Sequence, residues 1–241
     1  MRKTAFLLTL VMLLSGCKGP GARSYWDTHS TDVEDYRVSE EEFADFAELT
    51  LAMSPEKARE EIDRLYEKIG DDAVSYIIYS EWIAGAFYSM LSPCMDKDLY
   101  VYAADRMLRE RVLDDYDLEV VGLRRENCLH NRKGMTAEIP ALWDREGNEM
   151  TVPLVQKTLF LVVDQDCPSC TEAMTRFISP QWADTWLIAL CIGRGPLPVE
   201  PGWDCYLMDR DQRFIDTSAS PFYFVTAADG TVETGYTLFK K

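Results

Sequence analysis

Histidine is almost absent from this chain. His29 and His130 are the only two, and neither stands at a ligand-like spacing from a cysteine. The sequence also has a single Cys-x-x-Cys segment, so a tetrahedral Cys/His zinc site has no donor set and no metal is expected. Basic character is short too. Against 41 Asp and Glu there are 25 Lys and Arg, a formal charge of −16, and no basic stripe interleaved with aromatics. Such a chain repels a phosphate backbone, which argues against nucleic acid as a partner; the acidity reads as a solvated surface. Tandem repeats are not evident, and no cofactor is expected.

Long apolar runs are missing as well. The run near the start, Ala5 to Leu14, covers about ten residues, too few to span a bilayer as a helix. It follows the positive pair Arg2 and Lys3 and leads into Leu14-Ser15-Gly16-Cys17. That segment resembles the bacterial lipoprotein signal. The resemblance implies that residues 1–16 are a removed signal, that Cys17 becomes the first mature residue, and that it carries acyl chains, palmitate among them, which tie a soluble domain to a bilayer. A secretory signal cut elsewhere is the other reading. Losing Arg2 and Lys3 with the leader takes the formal charge from −16 to −18.

With Cys17 lipidated, Cys94, Cys128, Cys167, Cys170, Cys191 and Cys205 remain, an even set in an exported protein. Disulfides are permitted there, and sequence alone does not choose their pairing.

Residues 17–35 are rich in Gly, Ser, Thr and Asp without a period, and read as a tether. From Ser39 the pattern is helical. Ser39 is expected to cap a first helix ahead of Glu40, Glu41 and Glu42, with Phe43, Phe46, Ala47 and Thr50 on one face. Ser54-Pro55-Glu56 starts a second, stopped by Gly70. A third, aromatic-rich segment runs from Ala73 to about Leu91, its spacing that of core packing rather than a ligand box. A fourth covers Asp96 to about Leu113. Four helices over 36–130 predict a small bundle, and a Cys94–Cys128 disulfide is expected within it.

The second half, 135–241, reads differently. Residues 141–152 predict a hairpin turned by Glu146-Gly147-Asn148. The apolar run Thr158 to Val163 predicts a strand buried on both faces. Cys167 to Ile178 is helical with Pro168 in its first turn, Trp186 to Ile192 is another buried strand, and Cys205 to Met208 a short one. Phe222 to Thr226 and Thr231 to Tyr236 form a closing hairpin. The order predicts an α/β sandwich with a mixed sheet behind an all-α domain.

Within this half stands Cys167-Pro168-Ser169-Cys170, at the turn from a strand into a helix. Two such cysteines can close and reopen a disulfide, and the first lies where the helix dipole and free N–H groups favour a thiolate. The hairpin Asp144-Arg145-Glu146-Gly147-Asn148, this tetrapeptide, and Ser218-Ala219-Ser220-Pro221-Phe222-Tyr223-Phe224-Val225 followed by Asp229-Gly230 together resemble the thioredoxin-like domain of membrane-anchored thiol–disulfide oxidoreductases and peroxiredoxin-like proteins. Ser92-Pro93 to Leu99-Tyr100 and Asn131 to Ala137 resemble the helical region, of unassigned function, that precedes this domain in lipoproteins of gut-dwelling Gram-negative anaerobes. The resemblance implies Cys167 as attacking thiolate, Cys170 as resolving thiol and a cis Pro221 beside them. It also implies exported protein thiols or disulfides as partners, a membrane electron donor, and a lipid anchor in the cell envelope, on the periplasmic or surface face of the outer membrane.

The chain departs from the family's pattern at several positions. Asp166 replaces the tryptophan that commonly precedes the first cysteine, and with Asp164 it is expected to raise the Cys167 pKa. Leu161 replaces a buried acid. The stretch 193–216 is short for the family's middle helix, and five residues after Tyr236 leave no terminal helix. Asp164 also stands where a peroxidase would carry Thr or Ser. A redox-inactive interaction module with a structural disulfide is the alternative. Cys191 and Cys205 are open between a mutual bond, exchange with the active pair, and plain apolar burial.

Overall fold

The computed structural model describes residues 23–164, 167–193, 197–209, 213–217 and 219–239. The leader, Cys17 and Asp166 lie outside the described residues. Among the described residues no helix is long and apolar enough to cross a membrane.

Among the described residues the N-terminal half holds five α-helices: α1 (Tyr36–Thr50), α2 (Pro55–Ile69), α3 (Ala73–Ile83), α4 (Lys97–Glu110) and α5 (Asp115–Leu129), with a single wide turn, Ala84–Tyr88, continuing α3. Side-chain caps start most of them. Ser54, Asp72, Asp96 and Asp114 accept hydrogen bonds from N–H groups two or three residues on, satisfying donors that the helix itself cannot. Gly70, at φ 65°, closes α2 with its N–H on the Tyr66 carbonyl.

Ser39 is not a cap. α1 begins three residues earlier, and the buried Ser39 hydroxyl turns back to donate to the Asp32 carbonyl. α5 was not anticipated: its first turn is acidic, and only Leu118, Val121, Asn127 and Cys128 are buried, so its apolar stripe is thin. Tyr76, Tyr79, Ile83 and Phe87 are fully buried among Phe43, Phe46, Ile62 and Leu65. Burial of Ile83 and Phe87 contributes about 1.5–3 kcal/mol each.

The described part of the expected tether, residues 23–35, is docked rather than loose. Trp26 is 2% exposed and packs on Phe46 and Tyr79. The Ser24 hydroxyl donates to the buried Glu61 carboxylate at 2.5 Å, and Lys68 reaches the Trp26 and His29 carbonyls. The Cys94–Cys128 disulfide is also absent, because both cysteines are buried as free thiols. Burial is the main cause that pushes the Cys128 thiol up to about 12.

The C-terminal half is a seven-stranded mixed sheet in the order β2-β1-β5-β4-β3-β6-β7. Its strands are β1 (Leu142–Trp143), β2 (Glu149–Met150), β3 (Thr158–Asp164), β4 (Trp186–Ile192), β5 (Asp204–Met208), β6 (Phe222–Thr226) and β7 (Val232–Leu238). β3, β4 and β5 run parallel, while β6 runs antiparallel to β3 and β7 to β6. β3 and β4 are central, which is why their sequences are unbroken apolar runs.

On one face Leu159, Leu161 and Val163 meet α6 (Pro168–Phe177) through Ala173, Met174 and Phe177. On the other, Phe160, Val162, Ile188 and Leu190 meet Phe222, Phe224 and Ile215. That second face carries no helix of its own among the described residues, and the helical half closes it. Met90 enters its core, the Asn131 side-chain amide donates to the Phe214 carbonyl at 3.0 Å, and Tyr88 donates to the buried Asp216 at 2.8 Å. Lys97 lies 3.4 Å from the same carboxylate and over the Tyr236 ring.

Candidate functional site

α6 starts where β3 ends. Cys167 occupies the position before its first turn, in extended conformation at φ −100° and ψ 111°, and Pro168 takes the first helical position, where its missing N–H costs nothing. The Cys167 N–H bonds the Asp164 carbonyl at 3.1 Å, and the Cys170 N–H bonds the Cys167 carbonyl at 3.0 Å. The helix is held down at its far end: Phe177 packs against Trp182, Trp203 and Tyr223, and the Trp203 indole donates to the Met174 carbonyl at 3.1 Å.

Cys167 is partly exposed and Cys170 is 3% exposed; both are free thiols. Their protons are not equivalent. Burial alone would raise the Cys167 pKa, but a hydrogen bond from the Cys170 thiol, the main-chain N–H groups of Cys170 and Ser169, and the Ser169 hydroxyl outweigh it, so the group lies below the ordinary thiol range. Donors facing the sulfur outweigh burial and agree with the thiolate expected at a helix start; Asp166, from which an upward push was expected, lies outside the described residues. Cys170 goes the other way. Burial and the hydrogen bond it gives to Cys167 carry it up to about 12, against weaker opposing contacts from the Asp164 main chain and the Ser220 side chain.

Pro221 lies where the sequence puts it. The Ser220–Pro221 peptide is cis, Pro221 is buried, and its carbonyl accepts from the Phe239 N–H at 3.1 Å. Pairing of Val162 with Phe222 sets this segment beside the end of β3, and the Ser220 hydroxyl reaches the Cys170 sulfur. Cys167, Cys170 and Pro221 are thus brought together. Leu161, in place of a buried acid, is fully buried under α6.

Two side-chain contacts at the sulfurs were not legible in the sequence. The Ser169 hydroxyl and the Ser220 side chain both touch the sulfurs. A serine inside the Cys-x-x-Cys loop and one before the proline were the available signals. Cys191 and Cys205 join the same core cluster as Cys167 and Cys170, with Cys191 fully buried and Cys205 partly exposed. Among the described residues no group of three or more His, Cys, Asp or Glu is arranged to hold a metal ion.

A mixed sheet with a Cys-x-x-Cys turn at the N-terminus of a helix and a cis proline beside it is the thioredoxin-like arrangement. A thioredoxin-like protein from Bacteroides caccae superposes with a TM-score of 0.65 at 15% identity, over 88% of this chain and 85% of that one. That share takes in the helices as well as the sheet, and the fold of this chain is thioredoxin-like. A thiol:disulfide interchange protein from a Bacteroides species (13% identity, 43% of this chain and 80% of that one, TM-score 0.35) is also similar. So is the thioredoxin domain of a thiol-disulfide oxidoreductase from Bacteroides vulgatus (12%, 45% and 90%, 0.35). At those scores neither bears on function. No family model matches the chain, and no curated protein matches it.

Proposed function

We propose that this chain is a thiol–disulfide oxidoreductase acting on exported proteins through Cys167 and Cys170, and held at a cell-envelope membrane by acyl chains on Cys17. One observation carries the reading: within a single turn of α6, a partly exposed sulfur is shifted towards thiolate and a buried one towards thiol. The Cys167 thiolate attacks one sulfur of a substrate disulfide, the new bond joins Cys167 to the substrate, and the other substrate sulfur leaves as a thiolate. Cys170 then gives up its proton and attacks Cys167. Its bond to Cys167 replaces the mixed disulfide, and the substrate departs with one sulfur protonated by Cys170 and the other a thiolate that takes its proton from solvent. The reverse sequence oxidises a dithiol, so the same atoms serve either direction. Ser220 and the cis Pro221 form the wall against which an extended substrate segment would lie.

Insulin reduction by the full chain in detergent, compared with Cys167→Ser, tests the chemistry. Turnover by the wild type and loss in the variant are expected; equal rates would sink the reading and favour a binding module instead. Incorporation of labelled palmitate in cells, lost in Cys17→Ser, tests the anchor.

A further inference from the structure

Cys191 and Cys205 have no part in that cycle, yet they are neighbours on the sheet face that carries it. β4 and β5 are parallel, with Ala189 paired to Cys205 and Cys191 to Leu207. Cys191 is therefore two residues on from Cys205's partner and points to the same side of the sheet. The Cys191 thiol faces both the Cys205 sulfur, to which it gives its proton in a hydrogen bond, and the Ala189 carbonyl at 3.9 Å. Val163, the β3 residue beside Cys191, faces α6. All four sulfurs consequently share one packed cluster, and the charge on Cys170 is felt at Cys191. Cys205, like Cys167, is partly exposed, and it lies near Arg145 of the β1–β2 hairpin.

We propose that Cys191 and Cys205 are a second dithiol/disulfide couple, which takes up the oxidation of the Cys167–Cys170 pair by internal thiol–disulfide exchange and is itself reset at Cys205 by an external dithiol. The proposal rests on the oxidoreductase reading for the origin of the first disulfide. The proton shared by the second pair moves from Cys191 to Cys205. The Cys191 thiolate attacks Cys170, forming a Cys170–Cys191 bond and expelling Cys167 as thiolate. Cys205 then attacks Cys191, its proton passing to the departing Cys170. The products are a Cys191–Cys205 disulfide, a Cys170 thiol and a Cys167 thiolate. Two electrons have moved to the first pair, with no net proton taken up or lost.

The Cys205 side is poised for this exchange. Its hydrogen bond from Cys191, the first cause, and the nearby Arg145 cation hold it below the ordinary thiol range, against desolvation and the Asp204 and Glu200 charges. Cys191 is pushed well above that range, first by the bond it gives to Cys205. A single acidic thiol and a single held proton recur in both pairs.

The test equilibrates the full chain and Cys167→Ser/Cys170→Ser with glutathione buffers, alkylates, and maps disulfides by non-reducing peptide mass spectrometry. A Cys191–Cys205 cross-linked peptide is expected in both proteins; its absence from both across the whole range overturns the proposal. Separately, pre-reduced protein is mixed with excess insulin disulfide without added reductant. Wild type should reduce two disulfide equivalents per chain and Cys205→Ser one. One equivalent from each would show that the second pair does not exchange with the first. No reduction by wild type while the Cys191–Cys205 peptide still forms would be a failure of the oxidoreductase reading alone, leaving the second couple standing but removing its donor. Cys205 is the variant of choice because, being partly exposed, its substitution leaves the core packed.

Discussion

The two faces of the sheet solve opposite problems. The α6 face is a dry cluster of aliphatic, aromatic and sulfur groups, and its chemistry depends on which sulfur holds a proton. The opposite face buries a full carboxylate, Asp216, against Tyr88 and Lys97, and seats Asn131 on the Phe214 carbonyl and the Tyr236 hydroxyl. Sulfur is weakly polar and tolerates burial as a neutral thiol. A carboxylate does so only with partners, and all of the cationic and phenolic ones named here come from the helical half. One face gathers the sulfurs, and the other holds the two halves in one arrangement.

The strongest way to break this contrast is Asp216→Ala. It leaves Lys97 and Tyr88 without their acceptor and should cost about 3 kcal/mol or more in denaturant unfolding. Its effect on the pH at which Cys167 is half-alkylated should be nil; a shift there would show that the faces are not independent. Phe177→Ala, on the α6 face, should cost about 3 kcal/mol by opening a cavity under the helix, and it should also disturb Cys167 alkylation.

Tyr88→Phe removes one donor to Asp216 and leaves the ring in place, so about 1–2 kcal/mol is expected with unchanged thiol chemistry. For pH, the sign follows from the direction of the Cys167 shift. Its charged form is favoured in the folded protein, so iodoacetamide reactivity should persist below the ordinary thiol midpoint of about 8.5. Ser169→Ala should move the midpoint upward by a few tenths of a unit to about one unit. The smallest effect concerns neither face. Ser54→Ala, which uncaps α2, should cost about 1 kcal/mol and leave the thiols alone.

The chemical face was far easier to read from the sequence than the docking face. Unbroken apolar runs marked β3 and β4, Pro168 marked the first turn of α6, and the Ser-Pro step marked the strand beside it, all signals contained within a few residues. The helix start pointed to a thiolate at Cys167, but the side-chain donors two and three residues further on were not legible, because a count of acids along the chain does not see them. The lock at Asp216 joins residues 128 positions apart, and no local pattern announces such a contact. α5 escaped because its charges surround it, and Ser39 misled because a serine before three glutamates has the form of a cap without its backbone. The free state of Cys94 and Cys128 is likewise a matter of distant packing.

The way the helical half covers the second sheet face bears on how such a protein can evolve. Phe222, Phe224 and Tyr236 form a greasy surface roofed by Met90 and by residues around α4 and α5. Cut at the junction, the sheet half would carry that surface bare, and Asp216 would lose Tyr88 and Lys97. A sheet half joined to another partner would need a roof of matching shape and charge over the same face.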